Sequence, residues 1–137
     1  MGFQLVPIHE LKEHEEIIPE HLRELREEIV SDGVLIRPIA VTREHLIVLD
    51  GHHRLNILKE LGCARIPAFL VDYRSPDVVV ASWREGVTIT KEMVVEAALS
   101  GRVFPPKTTK HLVRVDGQLK HITVIEKPSY IPLDELR

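Results

Sequence analysis

The stretch Leu46-Ile47-Val48-Leu49-Asp50-Gly51-His52-His53-Arg54 decides how this chain is read. An apolar run ends at Asp50 and Gly51 permits a tight turn. A helical pattern then starts at once, with Leu55, Leu58 and Leu61 on one face and Gly62 as its stop. A strand that passes through glycine into a helix leaves the first N–H groups of that helix unpaired, at the positive end of its dipole. Such a junction suits an anion. Here it also carries two imidazoles, His52 and His53, which can donate N–H bonds, and Arg54, whose guanidinium can grip phosphate oxygens bidentately. Asp50 at the strand end can hold a magnesium ion that shares its charge with phosphate. Two other readings stay open on these residues alone. Asp50 could serve only as a helix cap, with the His and Arg solvated. The imidazoles could bind zinc, although adjacent helical residues diverge by about 100° and rarely share a metal.

Upstream, Leu22, Leu25 and Ile29 fall at spacings of three and four, which predicts an amphipathic helix over Glu20–Ser31, with Pro19 in its first turn and Gly33 past its end. Leu35–Thr42 and His45–Leu49, separated by Arg43 and Glu44, read as a hairpin. Downstream, Ile66–Val71 is a nearly continuous apolar run and reads as a buried strand. Ser75-Pro76-Asp77 carries a helix-start signature and predicts a helix to about Trp83. Thr90 caps a further helix that ends at Gly101, and Phe104–His111 is a Pro-rich, then basic loop. His111–Val115 and Leu119–Ile125 flank Asp116-Gly117, a strong hairpin signal. Val6–Lys12 and Ile131–Arg137 echo one another, and both read as extended segments leading into a turn on one sheet. The pattern predicts a compact α+β (mixed α/β) fold.

The chain has 137 residues, enough for one domain and one core, taken here as residues 1–137. With 44% apolar and 28% charged residues it should fold rather than stay disordered. A net charge of −3 disfavours nucleic-acid binding through overall charge, so DNA is an unlikely partner. The single cysteine, Cys63, excludes an internal disulfide and a multi-cysteine zinc site. No apolar run has the length of a membrane span, and the first twelve residues carry acid and His rather than a signal-peptide pattern, so a cytoplasmic location is expected. One Asn, two Gln and one Cys, set against many Glu, Arg, Val and Ile, suit a thermophile.

At the Asp50–Arg54 turn the sequence resembles the ParB/sulfiredoxin superfamily, and within it the archaeal free serine kinases. Four stretches carry the closer resemblance: Leu11-Lys12-Glu13-His14-Glu15, Leu46–Arg54, Val71-Asp72-Tyr73 with Trp83, and Pro106-Lys107-Thr108-Thr109-Lys110-His111. The resemblance implies a ParB-like domain with a small mixed sheet flanked by helices. The implied activity is phosphorylation of L-serine to O-phospho-L-serine by ADP or ATP, an early step toward cysteine, with Mg2+ as cofactor. It implies Glu15 as the general base, with Asp50 and His53 also catalytic and Asp50 the metal ligand. Gly51, His52, His53, Arg54, Lys107, Thr108 and Thr109 would hold phosphate, and Trp83, Lys110, His111 and Arg37 would lie near the acceptor. The better-known kinases carry an insertion between the Trp region and the Pro-Lys-Thr-Thr loop that this chain lacks. The alternatives are a ParB-like nucleotide-binding or DNA-associated regulator and a kinase for another small alcohol. A sulfiredoxin-like reductase needs a cysteine in the turn, and His52–Arg54 contain none.

Overall fold

Strand alternation and helical periodicity divide the apolar residues between two cores, one on each face of a central sheet. The computed structural model describes residues 2–137. The central sheet contains β1 (Gly2–Pro7), β3 (Ile39–Thr42), β4 (Val48–Asp50) and β5 (Arg65–Val71), in the order β1-β5-β3-β4. The β1–β5 and β3–β4 pairs are antiparallel and β3–β5 is parallel, so the sheet is mixed. Successive side chains on β3 go to opposite faces: Ile39 and Val41 join one core and Ala40 the other. Val48 and Leu49 divide in the same way on β4.

The first core is roofed by α1 (Pro19–Asp32) and α2 (His52–Glu60). Leu55, Ile57 and Leu58 of α2 are fully buried there, each worth about 1.5–3 kcal/mol in apolar area removed from water. Gly33 ends α1 in the left-handed region, as its position past the last apolar residue predicts. The second core lies under α3 (Lys91–Ser100) and a three-stranded antiparallel sheet of β6 (Val78–Ala81), β7 (Lys110–Val115) and β8 (Gln118–His121). Thr90 caps α3 by accepting the Met93 N–H at 3.2 Å. Asp116 and Gly117 both adopt positive φ, as the β7–β8 turn requires.

Four expectations need correction. Ser75-Pro76-Asp77 makes a turn, with Asp77 N–H donating to Ser75 Oγ at 3.2 Å, but no helix follows. Val78, Val79 and Val80 continue as β6 and pair with β7, because three consecutive β-branched residues fit a pleated sheet better than a helix. The segment Leu35–Thr42 is broken at Ile36-Arg37-Pro38, since proline cannot donate to the ladder. Val34–Leu35 form β2, which pairs instead with β9 (Ile131–Pro132). β8 stops at His121, and Ile122–Ile125 turn into a 3-10 helix. The echoing termini do share a local form, a strand running into a 3-10 turn, but β1 lies in the central sheet and β9 in the β2 pair.

Among the described residues, no helix is long and apolar enough to cross a membrane.

Candidate functional site

The turn after β4 is built as a bare helix start. Gly51 occupies the N-cap of α2 at φ 105°, a conformation that disfavours any side chain, and no side chain caps the helix. Asp50 is therefore not a cap, which removes the plainest alternative reading. Its Oδ2 instead accepts from Arg54 Nη2 at 3.0 Å. The same nitrogen reaches Glu126 Oε1 at 3.0 Å, and Arg54 Nη1 donates to the Pro38 carbonyl at 2.7 Å. The guanidinium is thus committed to protein acceptors, and a phosphate would meet it beside two carboxyl groups. Its place in the turn is structural as well as electrostatic.

Glu15 reaches the same region from the extended segment that precedes α1. That segment is tied on two sides. Lys12 bridges to Ile47, while His14 and Glu16 exchange backbone hydrogen bonds with Phe104 at 2.8 Å each. Glu15 is held between them, facing the loop before β7. Lys107 adopts positive φ, and the consecutive N–H groups of Lys107, Thr108 and Thr109 converge on its carboxylate at 3.1, 3.2 and 2.8 Å. The Thr109 hydroxyl adds a fourth contact at 2.8 Å. Successive N–H groups that turn inward form an anion nest, and here the anion is Glu15.

Behind these groups lie three buried imidazoles. The His14 ring stands edge-on to His52, with centroids 4.8 Å apart, and to His111 at 5.9 Å. Burial pushes each of the three down to about 3, and each is lowered further by a neighbouring imidazole, so all are neutral near pH 7. His111 Nε2 is 2.9 Å from the Tyr73 hydroxyl, whose own pKa burial raises. His53 accepts the Ile18 N–H on Nε2 at 2.9 Å, and burial lowers its pKa too. Glu126 is buried at 1% exposure, and burial pushes its carboxyl up to about 9 against the opposing pull of Arg54.

One cavity of about 120 Å³ gathers Glu15, Asp50, Gly51, His52, His53, Trp83, Lys107, Thr109 and His111, together with Glu16, Leu49 and His121. These expected site residues come from four separate stretches. A second cleft, of about 330 Å³, lies across the turn against α1 and shares Asp50, Gly51, His52 and His53, with Arg54, His21, Glu24, Leu25 and Glu28 completing its walls. Trp83 is 54% exposed at the rim of the smaller cavity, not in a core, and Lys110 Nζ lies 4.6 Å from its ring centre. Thr108 is buried, and its hydroxyl donates to the Pro105 carbonyl at 2.6 Å, away from the cavity. Arg37 lines a different cavity, beside Arg54 and Glu126. Glu126, Tyr73 and the buried state of His14 were not legible as site features. They lie far along the chain from their partners, and only the Leu11–Glu15 and Val71–Tyr73 stretches gave a hint of two of them.

The arrangement pairs a fixed carboxylate with an open helix N-terminus across a small cavity, a geometry suited to moving an anionic group onto an acceptor. Comparison with solved structures shows the fold. A variant of a free serine kinase in complex with ADP superposes with a TM-score of 0.83 at 17% identity, covering 100% of this chain and 95% of that one. The chain has the free serine kinase fold. In sequence it is 36% identical over 133 residues to the ATP-dependent L-serine kinase of Desulfurococcus mucosus, a match covering 94% of this chain and 51% of that protein. The ATP-dependent L-serine kinase of Staphylothermus marinus is 41% identical over 83 residues, covering 58% of this chain and 33% of that protein. The chain therefore spans about half the length, or less, of these curated relatives. No protein-family model matches it.

No group of three metal-ligating side chains occurs among the described residues. Magnesium commonly takes one or two carboxylates and completes its shell with water and phosphate oxygens. Asp50, which lines both cavities, fits that pattern.

Proposed function

We propose that residues 1–137 form a single ParB-like kinase domain that transfers a phosphoryl group from ADP or ATP to the hydroxyl of L-serine, giving O-phospho-L-serine. The observation that carries this reading is the uncapped N-terminus of α2, placed across one small cavity from Glu15. The likeness to L-serine kinases along 94% of the chain supports the same acceptor, and the product suits a route to cysteine.

The cavity of about 120 Å³ is well below the size usual for drug-sized ligands, so it takes the acceptor. The adjoining cleft takes the phosphate tail of the donor, and the shared turn meets both at the transferred group. Glu24 and Glu28 on the cleft wall would face phosphate only across a divalent cation. Asp50 would hold Mg2+ there, and the ion when bound supplies charge neutralisation to the phosphates. The unpaired N–H groups at the start of α2 bind the anion, and Lys107 adds positive charge at the cavity mouth. Glu15 orients the serine hydroxyl and accepts its proton as the oxygen–phosphorus bond forms and the bond to the leaving nucleotide breaks. Trp83 and His111 close the acceptor side and limit water access.

Incubating the protein with Mg2+, L-serine and either ADP or ATP should yield phosphoserine detectable by mass. No phosphoserine from either donor would overturn the reading. Phosphorylation of another small alcohol in preference to serine would move the acceptor but keep the machinery.

A further inference from the structure

Glu15 Oε1 is crowded and Oε2 is not. Oε1 accepts from Thr108 N, Thr109 N and Thr109 Oγ1 at 3.2, 2.8 and 2.8 Å, whereas Oε2 accepts only from Lys107 N, at 3.1 Å. A carboxylate has about four acceptor sites, two on each oxygen, so Oε1 is fully engaged and Oε2 retains a place for one more donor. What keeps the third donor on Oε1 is the direction of the Thr109 hydroxyl hydrogen, because a threonine hydroxyl is a free rotor unless its lone pairs are also fixed.

His14 fixes them. Its Nε2 lies 3.0 Å from Thr109 Oγ1. An ionised carboxylate is acceptor-only, so the 2.8 Å contact between Thr109 Oγ1 and Glu15 Oε1 requires the hydroxyl hydrogen to lie between those two oxygens. Thr109 Oγ1 can then only accept at its other contact, and His14 must present Nε2–H. A neutral imidazole has one N–H, which leaves Nδ1 bare; the Val48 carbonyl lies near the ring, but His14 Nδ1 makes no hydrogen bond of normal geometry among the described residues. The ring is fully buried and neutral, held edge-on to His52 and His111, so neither rotation nor protonation readily reverses the arrangement.

We propose that His14 is a positioning residue for the transfer: through its Nε2–H it locks the Thr109 hydroxyl onto Glu15 Oε1 and leaves Oε2 as the oxygen that meets the acceptor hydroxyl. Its role rests on the serine kinase reading, but the tautomer it requires does not.

Two measurements test it. Nitrogen-15 NMR of the imidazoles in the whole protein, assigned by comparison with His14→Gln, should show His14 protonated on Nε2 and bare on Nδ1 across neutral pH. A proton on Nδ1 would overturn the proposal whether or not the protein is a kinase. In turnover with serine, His14→Leu should lower kcat on the order of ten- to a hundredfold while the KM for nucleotide stays near that of the parent. His14→Gln, whose amide N–H can take the place of Nε2–H, should recover most of that loss. Equal losses in the Leu and Gln variants, both folded by their melting curves, would overturn the positioning role. Absence of any turnover in the parent would instead count against the kinase reading, and the NMR result would stand on its own.

Discussion

A Cβ placed on Gly51 would lie 2.3 Å from Ile39 Cγ2, inside the contact distance of any two carbons. The turn that exposes the start of α2 is therefore pressed against β3 with no room for a side chain, and its backbone conformation disfavours one as well. Gly62, at φ 75°, is equally left-handed, but a Cβ there would meet nothing within 4 Å. The two glycines separate backbone strain from packing. Gly62→Ala should cost about 1–2 kcal/mol from backbone strain alone. Gly51→Ala should cost about 1–3 kcal/mol more for the collision. Urea unfolding midpoints compare the two directly, and equal losses would mean that β3 yields to the turn.

The buried imidazoles make stability fall in acid. His14, His52 and His111 hold pKa values of about 3 in the folded protein against 6.5 when exposed. Below pH 6.5 the unfolded chain takes up protons that the folded one refuses. The stability these groups contribute is thus complete above 6.5 and is lost as pH falls toward 3. Each group changes stability by about 1.4 kcal/mol per pH unit inside that window. Denaturant midpoints at pH 7, 5.5 and 4.5 should drop steeply, and a flat profile would show that the imidazoles are not buried neutral.

Glu126 acts in the opposite direction. Its carboxyl is raised to about 9 in the folded protein from 4.5. Unfolding releases its proton anywhere between those values, so its contribution is complete below 4.5 and is lost as pH rises through 9. Together with the imidazoles this places maximum stability near pH 6.5. Because a protonated carboxyl and an amide have the same shape, Glu126→Gln should stay within about 1 kcal/mol of the parent at pH 7. It should also flatten the decline on the alkaline side. An unchanged alkaline slope would locate the titrating group elsewhere.

Glu15 lines the small cavity but not the cleft against α1, so removing its charge should separate chemistry from donor binding. Glu15→Gln should lose turnover by about a hundredfold or more with nucleotide affinity retained. Turnover like that of the parent would remove Glu15 from the role of base.

Much of this was legible in the sequence because it is local. The Leu46–Arg54 junction, the α1 and α3 boundaries at Gly33, Thr90 and Gly101, and the Asp116-Gly117 turn each depend on residues within a few positions of one another. The exceptions have physical causes. Ser75-Pro76-Asp77 starts a turn that looks the same whether a helix or a strand follows, and Val78–Val80 settle the matter by pairing with β7. Of the three partners of Arg54, only Asp50 is near, four positions away, while Pro38 and Glu126 lie 16 and 72 positions away and could not be read. Periodicity cannot report a pairing at such a distance. The resemblance to serine kinases supplied Glu15, Trp83 and the Lys107–His111 loop, and the fold then brought Glu15, Trp83, Lys107, Thr109 and His111 to one cavity.

We place the proposed phosphoryl transfer between the start of α2 and Glu15. A crystal structure of the protein with L-serine and a non-hydrolysable nucleotide tests it most directly. The terminal phosphate should lie against the backbone N–H groups following Gly51, with the serine hydroxyl within hydrogen-bond reach of Glu15 Oε2. A nucleotide bound elsewhere, with the cavity between Glu15 and Gly51 holding neither phosphate nor serine, would contradict it.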